Sequence, residues 1–119
     1  MVLTRIDHVQ LAMPPGGEDV ARGFYRDLLG LSEEAKPTEL AARGGCWFRS
    51  GAVRVHLGVE ADFRPARKAH PALRVAAFDA LVAAMRKADC AVREDGDFEG
   101  SPRVFVDDTF GNRIELIAD

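Results

Sequence analysis

Arg103-Val104-Phe105-Val106-Asp107-Asp108-Thr109-Phe110-Gly111-Asn112-Arg113-Ile114-Glu115-Leu116-Ile117-Ala118 is the stretch on which the fold turns. Apolar residues alternate over 103–107 and again over 113–118, and the five residues between them are turn formers. The spacing predicts a strand, a tight connection and a final strand. Glu115 sits between Ile114 and Leu116, in the middle of that last strand. A carboxylate there is costly unless a cation or a metal ion meets it. Arg54, Arg74 and Arg113 are the candidate ion-pair partners.

Upstream, 70–76 alternates as a strand. A helix is expected from an Asp79 N-cap through Leu81, Val82 and Met85 to about residue 88. A short strand near 91–93 and an acidic loop over 94–102 complete this half. Before it, 61–69 loses all alternation, carries Pro65 and reads as a linker. The first half, about 4–60, repeats the order. Residues 5–13 alternate as a strand and Pro14-Pro15-Gly16-Gly17 form a loop. A helix over 18–29 follows, with Val20, Phe24 and Leu28 one turn apart, Ala21, Tyr25 and Leu29 beside them, and Gly30 as its stop. Residues 38–43 pass equally for strand or helix. Residues 45–49 and 53–59 form a hairpin around Gly51. Each half is thus strand–helix–strand–strand–strand, giving one α+β domain (1–119) built from two modules, 4–60 and 70–119. A single module leaves one sheet face uncovered, so the modules must pair.

The 119 residues allow one domain, and 47% hydrophobic content excludes a disordered chain. Sixteen basic residues against nineteen acidic ones leave a net charge of −3, which gives generic nucleic-acid binding no electrostatic basis. No apolar run reaches membrane-spanning length and residues 1–10 lack the pattern of a signal peptide, so no membrane is expected and the expected location is cytoplasmic. Cys46 and Cys90 are too few for a disulfide framework or a cysteine zinc site and are expected to be small buried apolar residues. Trp47 is expected to pack rather than react.

Strand alternation sorts the polar side chains. Val53, Val55, Leu57 and Val59 oppose Arg54, His56 and Gly58; Val9, Leu11 and Met13 oppose His8, Gln10 and Ala12; Leu73 and Val75 oppose His70, Ala72 and Arg74. All three histidines therefore fall opposite the aliphatic faces. Three imidazoles and one carboxylate suit Zn²⁺, Mn²⁺, Fe²⁺, Ni²⁺ or Co²⁺ rather than Ca²⁺. The spacing of His8, His56 and His70 matches no short ligand motif, and solvated histidines with an ion-paired Glu115 are the alternative.

The chain also resembles the vicinal oxygen chelate superfamily: glyoxalase I, extradiol dioxygenases, fosfomycin-modifying enzymes and bleomycin-resistance proteins. The resemblance rests on Ile6-Asp7-His8-Val9, on Phe24-Tyr25-Arg26-Asp27-Leu28-Leu29-Gly30-Leu31 and on His70-Pro71-Ala72-Leu73-Arg74-Val75. Its most specific carrier is Phe110-Gly111-Asn112-Arg113-Ile114-Glu115-Leu116-Ile117. It implies two βαβββ modules curled around a cleft, often completed in a homodimer, and a divalent metal held by His8, His56, His70 and Glu115. It implies a lyase, isomerase or dioxygenase that chelates vicinal oxygens of a small anionic substrate, with Glu115 as the proton carrier and Arg54 and Arg74 as clamps for the anion. Trp47, Phe48 and Phe105 are candidates for an apolar wall. Glyoxalase I usually has a carboxylate where this chain has His56, which leaves Glu115 as the only ligand able to act as a base. The alternative from the same superfamily is a metal-free protein of the bleomycin-resistance type that sequesters a small molecule.

Overall fold

The computed structural model describes residues 1–119, which divide into two units, Met1–Phe63 and Arg64–Asp119. In the first unit the chain runs β1 (Val9–Met13), α1 (Glu18–Arg22), β2 (Ser32–Glu34), α2 (Thr38–Ala41), β3 (Cys46–Ser50) and β4 (Val53–Val59). In the second it runs β5 (Ala72–Val75), α3 (Phe78–Lys87), β6 (Val92–Glu94), β7 (Arg103–Asp107) and β8 (Arg113–Ala118). The sheets have the same order, β1-β4-β3-β2 and β5-β8-β7-β6. In each, the first and last strands of the unit pair parallel and the remaining pairs are antiparallel. This is the βαβββ arrangement, twice over, in an α+β chain. No helix is long and apolar enough to cross a membrane.

The hairpin β7–β8 has the expected bounds because its turn satisfies itself. Asp108 and Asn112, 4% and 0% exposed, bury their polar groups by bonding to each other. Asp108 Oδ1 accepts from the backbone N–H groups of Phe110 and Asn112, and Oδ2 accepts from Asn112 Nδ2, each at 2.9 Å. Gly51 turns β3 into β4 at φ 58°, a conformation glycine adopts without strain. Val55, Leu57, Phe48 and Cys46 carry the first core across that hairpin; Val104, Val106, Ile114 and Leu116 carry the second.

Several elements differ from the periodicity reading. After Arg22 the helix widens into a π-helical stretch, Gly23–Leu28, in which Leu29 N–H bonds to the Phe24 carbonyl at 2.9 Å. The wider turn puts the neighbours Phe24 and Tyr25 both inside, with Tyr25 stacked on Phe48 at 5.5 Å, and leaves Val20 50% exposed. The buried stripe is therefore Ala21, Phe24 and Tyr25 rather than Val20, Phe24 and Leu28. Residues 38–41 are helical behind Pro37, and the strand of that region is Ser32–Glu34 instead. Its residues show no apolar alternation because it is a sheet edge, held by Glu33 on Arg22 at 2.8 Å. Helix α3 starts at Phe78 with Ala77 at the N-cap, so Asp79 lies in the first turn, acting on the helix dipole rather than capping. Strands β1 and β5 begin later than expected, at Val9 and Ala72, which leaves His8 and His70 just ahead of their strands.

Candidate functional site

The strand registers place the polar side chains. Gln10 pairs with His56 across β1 and β4, and His8 lies two residues before Gln10. Ala72 pairs with Glu115 across β5 and β8, and His70 lies two residues before Ala72. On the other side, Trp47 pairs with His56 and Phe105 with Glu115. Each unit thus sets a histidine, a second donor and an aromatic ring at equivalent positions of one framework.

In the first unit His56 is 7% exposed and lies between two rings. Trp47 stacks on it at 4.1 Å with 5° between planes, and His8 at 4.0 Å with 16°. Trp47, expected to pack, does so on a donor; Phe48 is fully buried in the core instead. Burial pushes His56 below its ordinary 6.5, with the neighbouring His8 adding to the effect, which favours the neutral imidazole. His8 Nδ1 meets Asp7 Oδ1 at 2.9 Å, and Arg54 meets Asp7 Oδ2 at 3.5 Å. The hydrogen bond with His8, aided by Arg54, holds the Asp7 carboxyl below its usual range. These four residues line a cavity of about 400 Å³ with Trp47 and Gln10.

In the second unit Glu115 is 5% exposed. Its Oε1 meets His70 Nε2 at 3.0 Å and its Oε2 accepts from Arg103 Nη1 at 3.1 Å. The cation beside Glu115 is thus Arg103, not Arg54, Arg74 or Arg113. Arg74 Nη1 donates instead to the Ala118 carbonyl at 3.2 Å and to Ser101 Oγ at 3.5 Å. Arg103 went unrecognised in the sequence, although its alternation with Phe105 puts both on the side of Glu115. The His70 ring meets Phe105 edge-on at 5.2 Å.

The donor chemistry can be tested against a divalent ion. His70 Nδ1 lies 2.8 Å from the Lys68 carbonyl, an oxygen that only accepts, so Nδ1 carries the proton. Nε2 then faces a carboxylate oxygen and needs a positive occupant between them, a proton or a metal ion. Two ligands about 2.1 Å from one ion lie about 3.0 Å apart at a right angle and about 3.4 Å apart at the tetrahedral angle, and the His70–Glu115 separation of 3.0 Å falls at the lower figure. Anchoring Nδ1 on an oxygen, with Nε2 turned to the ion, is the usual support of a metal-bound histidine. His8 has it from Asp7 and His70 from Lys68. The parallel rings of His8 and His56 do not aim lone pairs at a common point as they lie. His8 is 39% exposed at its side chain and can turn. Neither unit alone gathers three or more histidine, cysteine or carboxylate side chains able to hold an ion. The structure brings His70 to Glu115 in the second unit and stacks His8 on His56 in the first, each a pair of donor types that divalent ions accept.

The Glyoxalase/Bleomycin resistance protein/Dioxygenase superfamily matches residues 5–116. The chain belongs to that superfamily. Among solved structures, this superfamily member is 43% identical to a glyoxalase family protein from Bacillus anthracis, with a TM-score of 0.94 over 100% of this chain and 98% of that one. The fosfomycin resistance protein FosX from Listeria monocytogenes shares the fold at 11% identity, with a TM-score of 0.78 over 99% and 95% of the two chains. Lactoylglutathione lyase from Agrobacterium tumefaciens does so at 18% identity, with a TM-score of 0.72 over 99% and 96%. No curated protein matches the superfamily member in sequence.

Proposed function

We propose that the chain is a cytoplasmic, homodimeric, metal-dependent enzyme acting on a small oxygenated anion, with a reaction of the lyase, isomerase or dioxygenase type. The carrying observation is the repeated register: each unit sets a histidine two residues ahead of the strand partner of a second donor. His8 and His56 from one unit, with His70 and Glu115 from the other unit of the same or a second copy, would hold a Zn²⁺, Mn²⁺, Fe²⁺, Ni²⁺ or Co²⁺ ion. Such an ion supplies Lewis-acid stabilisation to two adjacent substrate oxygens. Glu115 Oε1 is the atom suited to accept a substrate proton, while Arg103 on Oε2 keeps the carboxylate oriented. Arg54, beside His8 and His56 in the cavity of the first unit, suits the anionic end of the substrate. Arg74 remains a clamp candidate only if it leaves Ala118. A second copy is supported by the exposed apolar side chains of Val2, Leu3 and Ile6. The two unpaired cysteines suit a reducing compartment.

One observation favours a second reading, a metal-free binder. The flat series Trp47, His56 and His8 is a ring platform in which the histidines stack rather than converge. Metal analysis separates the two. Untagged protein equilibrated with each of the five ions should retain one ion per set of four ligands, and His8→Ala, His56→Ala, His70→Ala and Glu115→Gln should each lose it. Failure of the wild-type protein to retain any of them removes the enzyme reading and leaves the sequestering one.

A further inference from the structure

A second cavity, also about 400 Å³, lies in the second unit between the linker and the β7–β8 turn. Three arginines, Arg67, Arg93 and Arg113, line it with Asp107, Pro65 and Phe110. Its wall is built rather than incidental. Asn112 Oδ1 accepts from Ala66 N–H at 3.0 Å, and Arg113 N–H donates to the Ala66 carbonyl at 2.8 Å. Those two bonds fix Pro65 and Arg67 against the turn that Asp108 and Asn112 lock. Gly111, at φ 94°, completes the packing: a Cβ there would stand 3.3 Å from the Pro65 ring.

The charges do not balance. Arg93 spends its two Nη atoms on Asp107, at 3.0 and 2.9 Å, so that pair is neutral. Arg67 is exposed and has neither a hydrogen bond nor an ion pair. The Arg113 guanidinium lies 5.1 Å from the centre of the Phe105 ring, and its Nε is buried with no hydrogen-bond acceptor. A buried N–H without an acceptor is a standing cost, and with no ion pair the Arg113 guanidinium leaves its charge unspent at the cavity wall. Two cations without an ion-pair partner, one with an orphaned donor, beside the apolar surfaces of Phe110 and Pro65 define a ligand of one kind.

We propose that this cavity binds an oxyanion, a carboxylate or phosphate, joined to a small apolar group, with Arg113 and Arg67 gripping the anion and Phe110 and Pro65 covering the apolar part. Planar guanidinium groups suit both anions. The site needs no metal, so it is tested on protein stripped of metal with a chelator, where the fate of the enzyme reading has no bearing.

The probe is phenyl phosphate, titrated by calorimetry and followed by the Arg113 Nε–H resonance, with benzoate as its carboxylate counterpart, inorganic phosphate as the anion without an apolar group and benzylamine as the cationic counterpart. Phenyl phosphate should bind and shift that resonance, and benzylamine should not bind. Arg113→Ala and Arg67→Ala should each weaken binding about tenfold, while Arg86→Ala, on the exposed face of α3, leaves it unchanged. Arg67 is exposed, so its variant keeps the test sound if Arg113→Ala fails to fold. Absence of binding at tens of millimolar overturns the proposal, and so does equal affinity in the wild type and the Arg67 variant. Stronger phenyl phosphate than benzoate binding assigns the phosphate; the reverse assigns the carboxylate.

Discussion

Replacing Arg103 by methionine isolates what holds Glu115 in its strand. The carboxylate side chain is 7% exposed and its Oε2 has Arg103 Nη1 at 3.1 Å, while the arginine side chain is 22% exposed. Removing one partner of a fully buried pair costs about 3–5 kcal/mol. Partial exposure of Arg103 lets water reach its side of the pair, which brings the expected loss to about 2 kcal/mol. For a chain of this size that lowers the melting temperature by about 8 °C. Arg103 also lies over the Phe105 and Phe98 rings at 5.2 and 5.9 Å, and the single variant loses those contacts as well. A double-mutant cycle with Glu115→Gln removes that contribution, because it is lost equally on both backgrounds. Urea unfolding of the four proteins should give a coupling energy of about 1.5 kcal/mol with unchanged m-values. A coupling below about 0.5 kcal/mol, the range of exposed pairs, would show that Glu115 is held by something other than Arg103 and would refute the placement.

Three further outcomes are expected. If the Asp7–His8 contact supports a ligand, Asp7→Asn should weaken metal retention by about 10–100-fold with little effect on melting; dialysis against a competing chelator measures it. Asn112→Ala strips partners from the buried Asp108 carboxylate and from Ala66 N–H, and should cost about 3 kcal/mol in urea unfolding. The Glu18 carboxyl accepts Gly45 N–H at 2.8 Å, and that bond holds it below its ordinary 4.5. Its contribution is therefore complete above pH 4.5 and fades as pH falls through the lower folded value, so the stability gap between wild type and Glu18→Gln should narrow on acidification.

The sequence made the outer frame readable where apolar alternation and turn chemistry agreed. The strands 103–107 and 113–118, the hairpin around Gly51 and the shared order of the two halves all have both signals. The edge strand Ser32–Glu34 has neither, since an edge is kept by charge and its residues are polar. Val20 misled because periodicity assumes 3.6 residues per turn, and the widened stretch after Arg22 breaks that phase. The donors were visible as residue types; how they are anchored was not. The Lys68 carbonyl leaves no trace in sequence, and choosing Arg103 over Arg74 or Arg113 needs the register that sets Phe105 against Glu115.

That register also relates the difference between the two donors to their surroundings. The position two residues before Phe105 is Arg103, which reaches Glu115. The position two residues before Trp47 is Gly45, where a Cβ would stand 2.1 Å from the Leu57 carbonyl oxygen. No side chain can be carried there, so the first unit has no counterpart of Arg103. A carboxylate at 56 would be buried with its nearest strand cation, Arg54, already turned to Asp7. An imidazole needs no counter-ion, and burial together with His8 favours its neutral form. The two units share one backbone plan, and the glycine at one position and the arginine at its equivalent determine which donor each can bury: a neutral ring between two rings in the first, an anion clamped by a guanidinium in the second.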